Sequence, residues 1–379
     1  MKSNIADEKK KLIIFIDWFY PSYKAGGPIK SVFNIVSILK DSHEIRIITS
    51  AYDIDGTKVS LEHNQLVKQE GYEIIYLTKE NQKSIRIKSL VYEFKPDLIY
   101  LNSVFSVNFS ILPLYWFRLK FKIIIAPRGM LGAGALKIKA VKKSIFLRLG
   151  KSLLFSQSII WHASSDLEEN EIKGTIGKNA RVQVAQNLSN PVCNRDKSSA
   201  NKKRGELKLV FLSRISEKKN LLFILQLLTK HPELNITLDI YGPIEDSRYW
   251  EECSAYILKH ERINYVGIVE PNCIFETLQQ YHFSVLPTRH ENYGHSIAES
   301  ITSLVPVLIS NNTPWTELRK FNVGYDLKLK NQDLWTETIL VLYNLGNEEY
   351  CKMVEACFEY ANQKIVNSEI VDQNKKLFT

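Results

Sequence analysis

Glu291 and Glu299 are separated by seven residues in the segment Arg289-His290-Glu291-Asn292-Tyr293-Gly294-His295-Ser296-Ile297-Ala298-Glu299. The apolar run Phe283–Pro287 before them reads as a strand, and a helix is expected to begin near Gly294. That puts Glu291 in the strand-end loop and Glu299 one to two turns into the helix. The helix start over Tyr293–Ser296 would present backbone N–H groups to an anion. A carboxylate on each side of such a site suits a ligand with two hydroxyl-bearing parts flanking its anionic centre. The plainer reading is a capped helix with surface acids.

Three other segments carry chemistry. In Leu212-Ser213-Arg214-Ile215-Ser216-Glu217-Lys218-Lys219-Asn220, Arg214 follows a strand and Lys219 is expected to open the next helix. Two cations at a strand-end crevice can neutralise a diphosphate without a metal, and a solvated charged turn is the competing reading. In Trp18-Phe-Tyr-Pro-Ser-Tyr-Lys-Ala-Gly26-Gly27-Pro28, the paired Gly26 and Gly27 let backbone approach a ligand closely, and Pro28 suits a first helical turn. In Ala126-Pro-Arg128-Gly129-Met130, Arg128 would face a crevice if this is a strand-end loop, and otherwise is a surface arginine.

Several chemistries are not indicated. Asp53-Ile54-Asp55 matches a metal-holding DxD but sits in a turn-like stretch ending at Gly56, so it is read as an ordinary loop and no metal site is expected. Gly174–Lys178, GTIGK, lacks the glycine spacing of a P-loop, and the Gly26 segment is not GxGxxG. The five cysteines are odd in number, scattered and without a CxxC pair, which argues against structural zinc and for a reducing compartment. No cofactor is called for.

These segments need elements to position them. Strand-like runs are Lys11–Trp18, Glu44–Ser50, Tyr72–Leu77, Asp97–Leu101, Lys122–Ala126, Ser158–His162 and Arg181–Ala185, several apolar on both faces as buried parallel strands are. Amphipathic stretches such as Ile29–Leu39 and Leu136–Leu154 lie between them. The polar segment Asn187–Glu206 interrupts this grammar, which restarts with strands Leu207–Ser213, Asn235–Tyr241, Arg262–Val266, Phe283–Pro287 and Pro306–Ile309 and a helix Lys219–Leu228. Gln332–Val366 is mostly helical. The expected fold is α/β: two doubly wound Rossmann-like domains facing a cleft, with ligands beyond the carboxyl ends of the strands. The domains expected are 1–186, a linker 187–206, and 207–365; residues 366–379 are a candidate to cross back to the first.

The chain has 379 residues and a formal net charge of +9, unevenly placed: residues 1–200 carry +12 and residues 201–379 carry −3. Between Asp97 and Asp166 there is no acid, while Arg118, Lys120, Lys122, Arg128, Lys137, Lys139, Lys142, Lys143, Arg148 and Lys151 all fall inside. Such a block points to an anionic partner. Leu136–Lys151 interleaves these cations with apolar residues, the pattern of a helix lying on an anionic membrane or of a core helix with a basic outer face. Leu98–Phe117 is uncharged but too polar for a membrane span, and reads as a strand followed by a buried helix. The first ten residues lack the apolar core of a signal peptide. Nucleic-acid-binding signatures are missing, so no nucleic-acid partner is expected.

In order and spacing, these pieces resemble family 4 of the retaining glycosyltransferases with the GT-B fold, the type that builds bacterial surface polysaccharides. The resemblance spans nearly the whole chain. Gly26-Gly27 is similar to the family's first glycine loop, Ala126–Met130 to its PRGM segment, and Trp161-His162-Ala163-Ser164-Ser165 with Glu168 to its h-a-(S/T)-S-x-x-E. Leu212–Asn220 resembles G-R-x-x-x-x-K-G, Glu291–Glu299 the E-x7-E element, and Pro306-Val-Leu-Ile-Ser310 the G-x-P-V strand. Ser213 and Asn220 stand where the family often has Gly, and Leu304-Val305 replaces its usual x-G before Pro306.

The resemblance implies that Arg214 and Lys219 hold the diphosphate of a UDP- or GDP-linked sugar. Glu291 would contact the sugar and Glu299 the ribose, with Tyr293, Gly294 and His295 offering backbone N–H groups. Gly26, Gly27 and Arg128 would face the acceptor, a glycan or polyprenyl-diphosphate-linked glycan at the inner face of the cytoplasmic membrane. It implies a cytoplasmic, metal-independent, retaining hexosyltransferase, acting in surface-polysaccharide (lipopolysaccharide) assembly. A silent nucleotide-sugar-binding scaffold or a GT-B-type epimerase are the alternatives.

Overall fold

The computed structural model describes residues 9–137, 140–155, 158–192 and 201–379. Lys139, Cys193 and the middle of the expected linker, 193–200, lie outside them. The chain divides into two compact units, Met1–Leu188 with Glu369–Thr379, and Ser189–Ser368.

The first unit has eight strands: β1 (Lys10–Phe15), β2 (His43–Ser50), β3 (Leu66–Gln69), β4 (Tyr72–Leu77), β5 (Leu98–Leu101), β6 (Lys122–Ile125), β7 (Ile160–Ala163) and β8 (Arg181–Val184). They form one sheet in the order β3-β4-β2-β1-β5-β6-β7-β8. Every pairing is parallel except β3 with β4. Burial on both faces explains the near-continuous apolar runs. Leu12 and Ile14 face a core built with helices Gly27–Leu39 and Ser368–Leu377, while Ile13 and Phe15 face a core under Ser84–Phe94, Leu112–Phe117 and Asp166–Ile176.

The second unit is a six-stranded parallel sheet of β9 (Leu207–Leu212), β10 (Ile236–Tyr241), β11 (Ile263–Gly267), β12 (Phe283–Leu286), β13 (Val307–Ser310) and β14 (Gly324–Leu327), ordered β11-β10-β9-β12-β13-β14. Leu207, Leu209 and Phe211 enter the larger core, and Val210 and Leu212 a smaller one on the opposite face. Both sheets are therefore Rossmann-like. In the first the strand order reverses between β1 and β5, in the second between β9 and β12. Those reversals are where doubly wound sheets place ligands.

Two expectations need correction. β3 and β14 carry no apolar run and were not anticipated. Gly324 at the start of β14 has φ 148°, and a Cβ there would lie 2.1 Å from the Val307 carbonyl oxygen, so only glycine fits. The helix expected to begin at Lys219 begins at Leu221, because Asn220 is left-handed with φ 60° and ends a turn that contains Lys219. The described parts of the expected basic helix are helical, over Ala133–Lys137 and Ala140–Leu153. The described end of the expected linker includes a buried cation. Lys202 is buried, and its ammonium donates to the carbonyls of Lys203, Tyr343 and Leu345 at 2.9–3.2 Å, satisfying the end of helix Gln332–Asn344.

Candidate functional site

The β9 and β12 loops meet at the second unit's strand-order reversal. Lys219 Nζ donates to Glu291 Oε1 at 2.5 Å, with side chains 12% and 8% exposed. Thr288 Oγ1 lies 3.1 Å from the same carboxylate oxygen and 3.1 Å from the Lys218 carbonyl. The Arg289 amide donates to that carbonyl at 2.8 Å, and the Arg289 guanidinium pairs with Glu217. Asn220 Nδ2 donates to the Pro287 carbonyl at 2.9 Å, and the Glu291 amide to the Asn312 carbonyl, just beyond β13, at 3.0 Å. Sequence positions about 70 apart are thus joined into one polar floor.

Electrostatics follow from that packing. Burial pushes the Glu291 carboxyl up, but the Lys219 and Lys218 charges, with hydrogen bonds from Lys219 and Thr288, outweigh it and hold the group below its ordinary value. Lys218 is pushed down by desolvation despite the attraction of Glu291, with Lys219 and Arg214 adding repulsion, although its side chain retains exposed surface. Arg214 Nη1 pairs with Glu245 Oε1 at 2.7 Å, both partly exposed. Four cations, Arg214, Lys218, Lys219 and Arg289, therefore face three carboxylates, Glu217, Glu245 and Glu291, an arrangement with capacity for added negative charge.

The helix His295–Thr302 starts at this floor, capped by Gly294 with φ 81°. A Cβ on Gly294 would lie 2.9 Å from Ile297 Cδ1. The loop is fixed by Tyr293, which is buried between the rings of Trp315 and His295 and whose carbonyl accepts the Trp315 indole N–H. The Tyr293 hydroxyl meets Ser189 Oγ at 2.9 Å. A helix start leaves its first N–H groups outside the helix's own ladder, directed toward this loop. Glu299 lies in the second turn and is buried.

The departures from the family pattern have physical readings. Asn220 occupies a left-handed position, which Asn tolerates better than most residues. Leu304, not Val305, is left-handed at φ 64°, so the glycine slot before Pro306 falls on Leu304, which is fully buried in the core. Nothing in the structure explains Ser213.

In the first unit, Gly26 caps helix Gly27–Leu39 with φ 72° and open space where a Cβ would sit. Arg128 is left-handed, φ 54°, and half-buried. It is not a loose surface arginine. Its Nη1 donates to Asn187 Oδ1 at 2.5 Å, its Nη2 to the Tyr100 hydroxyl at 2.7 Å, and Nη2 and Nε to Asn102 Oδ1 at 3.2 and 3.4 Å. Tyr100 in turn meets His162 Nδ1 at 2.7 Å, and His162 Nε2 meets the Ala185 carbonyl at 2.8 Å. A carbonyl only accepts, so Nε2 carries the proton and Nδ1 accepts from Tyr100. Burial, with the Arg128 charge adding to it, pushes His162 down to about 3. Glu168 supports the loop by accepting from the amides of Gly129 and Ser164 at 2.7 and 2.8 Å.

The sequence reading missed Thr288, Lys218, Trp315 and Ser189 at the second site, and Asp17 at the first. The Asp17 carboxyl is raised by burial against a 2.6 Å hydrogen bond from Ser106 Oγ. A lone Thr, Ser or Trp has no spacing signal. Asp53 and Asp55 are used locally: Asp53 Oδ1 accepts from the Ile54 amide, and Asp55 pairs with Lys24 at 2.5 Å. Among the described residues no group of three or more His, Cys, Asp or Glu could hold a metal ion, and no helix is long and apolar enough to cross a membrane.

Residues 194–363 match the family model described as Glycosyl transferases group 1. No curated protein matches by sequence. Among solved structures, sucrose-phosphate synthase from Thermosynechococcus elongatus is similar with TM-score 0.75 at 12% identity, covering 98% of both chains. HepE of Anabaena, in complex with UDP and glucose, has TM-score 0.72 at 14% identity, covering 97% of this chain and 98% of its own. WaaG, a glycosyltransferase involved in lipopolysaccharide biosynthesis, has TM-score 0.68 at 12% identity, with the same coverage. The chain has the GT-B α/β fold, and the match over its second unit supports a glycosyltransferase of that fold.

Proposed function

We propose that this protein is a retaining, metal-independent hexosyltransferase that moves a sugar from a UDP- or GDP-linked donor to a glycan or lipid-linked glycan in surface-polysaccharide assembly. The observation that carries the reading is the Lys219–Glu291 pair on the floor beneath the helix start at His295. Lys219 and Arg214 stabilise the departing nucleoside diphosphate, and backbone N–H groups at Tyr293–His295 meet sugar and phosphate. Glu291 positions the sugar and Glu299 the ribose.

Retention needs no protein nucleophile. The bond from the anomeric carbon to the diphosphate breaks, and the acceptor hydroxyl attacks the same face. The departing phosphate oxygen takes the hydroxyl proton as the new glycosidic bond forms. Binding holds the reactants in that geometry. The acceptor uses the first unit near Gly26, Gly27 and Arg128.

A cytoplasmic location peripheral to the inner membrane face suits the charge pattern, and helix Ala140–Leu153 supports it. Val141, Ile145 and Leu149 recur every four residues, 73%, 56% and 56% exposed, with Lys142, Arg148 and Lys151 exposed beside them. An anionic lipid surface matches both features.

Thermal shift against UDP, GDP, ADP, CMP and their sugar conjugates in excess EDTA tests the donor site. A ligand at 100 times its dissociation constant stabilises by about 2.7 kcal/mol. A rise with one diphosphate despite EDTA supports the reading. A rise only with added Mg²⁺ or Mn²⁺ sinks the metal-free donor site. Full transfer rate in Glu291→Ala refutes the assigned role of Glu291.

A further inference from the structure

Four consecutive residues at the end of the first unit are each gripped by a polar side chain from a different element. The Ala185 carbonyl accepts from His162 Nε2 at 2.8 Å, and the Gln186 carbonyl from Asn374 Nδ2 at 2.8 Å. Asn187 Oδ1 accepts from Arg128 Nη1 at 2.5 Å, and the Leu188 carbonyl from Asn34 Nδ2 at 2.7 Å. Ala185, Asn187 and Leu188 are buried. These grips come from β7, helix Ser368–Leu377, the loop after β6, and helix Gly27–Leu39. An extended segment with four successive side-chain anchors has little freedom of its own.

The next residue begins the second unit. Ser189 has none of those anchors; its hydroxyl meets the Tyr293 hydroxyl at 2.9 Å. Tyr293 is the residue before Gly294, in the loop that opens helix His295–Thr302. Three residues on from Ser189, Val192 packs against the second unit's core. The chain connection therefore changes from one set of anchors to another across a single peptide, and the first anchor on the far side is part of the proposed donor loop.

We propose that Ser189 is a positioning residue that ties the donor loop to the chain connection, so that a nucleoside diphosphate held at Tyr293–His295 also orders residues 189–192. The inference rests on the donor-site reading above. It gives Arg128 a second use: its guanidinium holds the connection in place, beyond any approach to acceptor. When the diphosphate fixes the Tyr293 backbone, the ring and hydroxyl are fixed with it, and Ser189 loses its freedom to exchange that partner for water. Without the Ser189 hydroxyl, the loop can bind ligand while the connection is unaffected.

Hydrogen exchange of the full chain, read by mass spectrometry with UDP, GDP and ADP each at millimolar concentration, tests this. In the unmodified protein one of the three should slow exchange both at 291–297 and at 189–192. Ser189→Ala should keep the slowing at 291–297, lose it at 189–192, and speed basal exchange there by about fivefold, the worth of one ordinary hydrogen bond. Ser189→Thr, which keeps the hydroxyl, should restore the coupling. Tyr293→Phe removes the same bond from the other side and should reproduce the Ser189→Ala loss at 189–192. Slowing confined to 291–297 in the unmodified protein overturns the coupling and leaves the donor site standing. Slowing at 189–192 that survives Ser189→Ala also overturns it. No slowing anywhere with any of the three overturns the donor-site reading and the coupling together.

Discussion

Lys219→Met is the substitution whose consequence the structure fixes most tightly. It removes the cation 2.5 Å from Glu291 Oε1, where both side chains are nearly buried. Stranding one member of a buried pair costs about 3–5 kcal/mol, because the remaining charge is left desolvated. Here Thr288 Oγ1 still bonds the same oxygen at 3.1 Å, and Lys218 still lends its charge, so the expected loss lies at the low end, about 3 kcal/mol. With a urea dependence of about 2 kcal/mol/M, the unfolding midpoint of the second unit should fall by about 1.5 M.

The double variant Lys219→Met/Glu291→Gln removes both charges and should recover about 2 kcal/mol of the loss. The pH dependence has a definite sign. In the unmodified protein Glu291 is held below its ordinary value, so its contribution is present above the unfolded carboxylate range and is lost as pH falls through the folded value. In Lys219→Met burial dominates, and protonating Glu291 relieves the stranded charge. The deficit of that variant should shrink between pH 7 and about 4.5. Urea unfolding followed by circular dichroism at several pH values measures both. If single and double variants unfold at the same midpoint, or the deficit does not change with pH, the pair is not a coupled buried charge pair and the argument for this floor fails.

Gly294→Ala forces a left-handed Ala whose Cβ meets Ile297 Cδ1 at 2.9 Å. A loss of about 1–2 kcal/mol in urea unfolding is expected, together with a weaker thermal shift from the nucleoside diphosphate; an unchanged shift would show that the loop's shape does not matter to binding. His162 is neutral in the fold, pushed down to about 3 by burial and Arg128, while an unfolded His titrates near 6.5. The unfolded chain then binds the extra proton, so stability is lost as the pH is lowered, by about 2 kcal/mol from pH 7 to pH 5. His162→Gln should abolish that increment, and urea midpoints that fall equally in both proteins would refute a neutral, depressed His162 in the fold. Ile145→Glu should leave stability within about 0.5 kcal/mol, since the side chain is exposed, yet abolish flotation with anionic vesicles at low salt; flotation that is absent in the unmodified protein, or that persists in the variant, counts against the stripe as the membrane face.

The sequence by itself determined the alternation of elements and the residues that carry charge at the strand ends. It could do so because buried parallel strands must be apolar on both faces, and the turns between them need glycine or polar residues. Thus β4 (Tyr72–Leu77) has the expected bounds, and the helix after Gly294 begins where the glycine predicted. Short strands such as β14 escaped, because Gly324 is there to admit the Val307 carbonyl, and close backbone approach leaves no hydrophobic pattern.

Only the tertiary structure decided what each charged residue does. Arg128 reads in sequence as a free cation, yet folding brings Tyr100, Asn102 and Asn187 to its guanidinium. Lys219 and Glu291 are 72 positions apart, and no spacing rule pairs them. Ser189 has no sequence signal, and gains its place because the chain leaves the first unit beside four anchors and meets Tyr293 next. Periodicity records which side of an element is buried. The partner a polar group finds depends on which strand ends the sheet order brings together, and that is set by the whole fold.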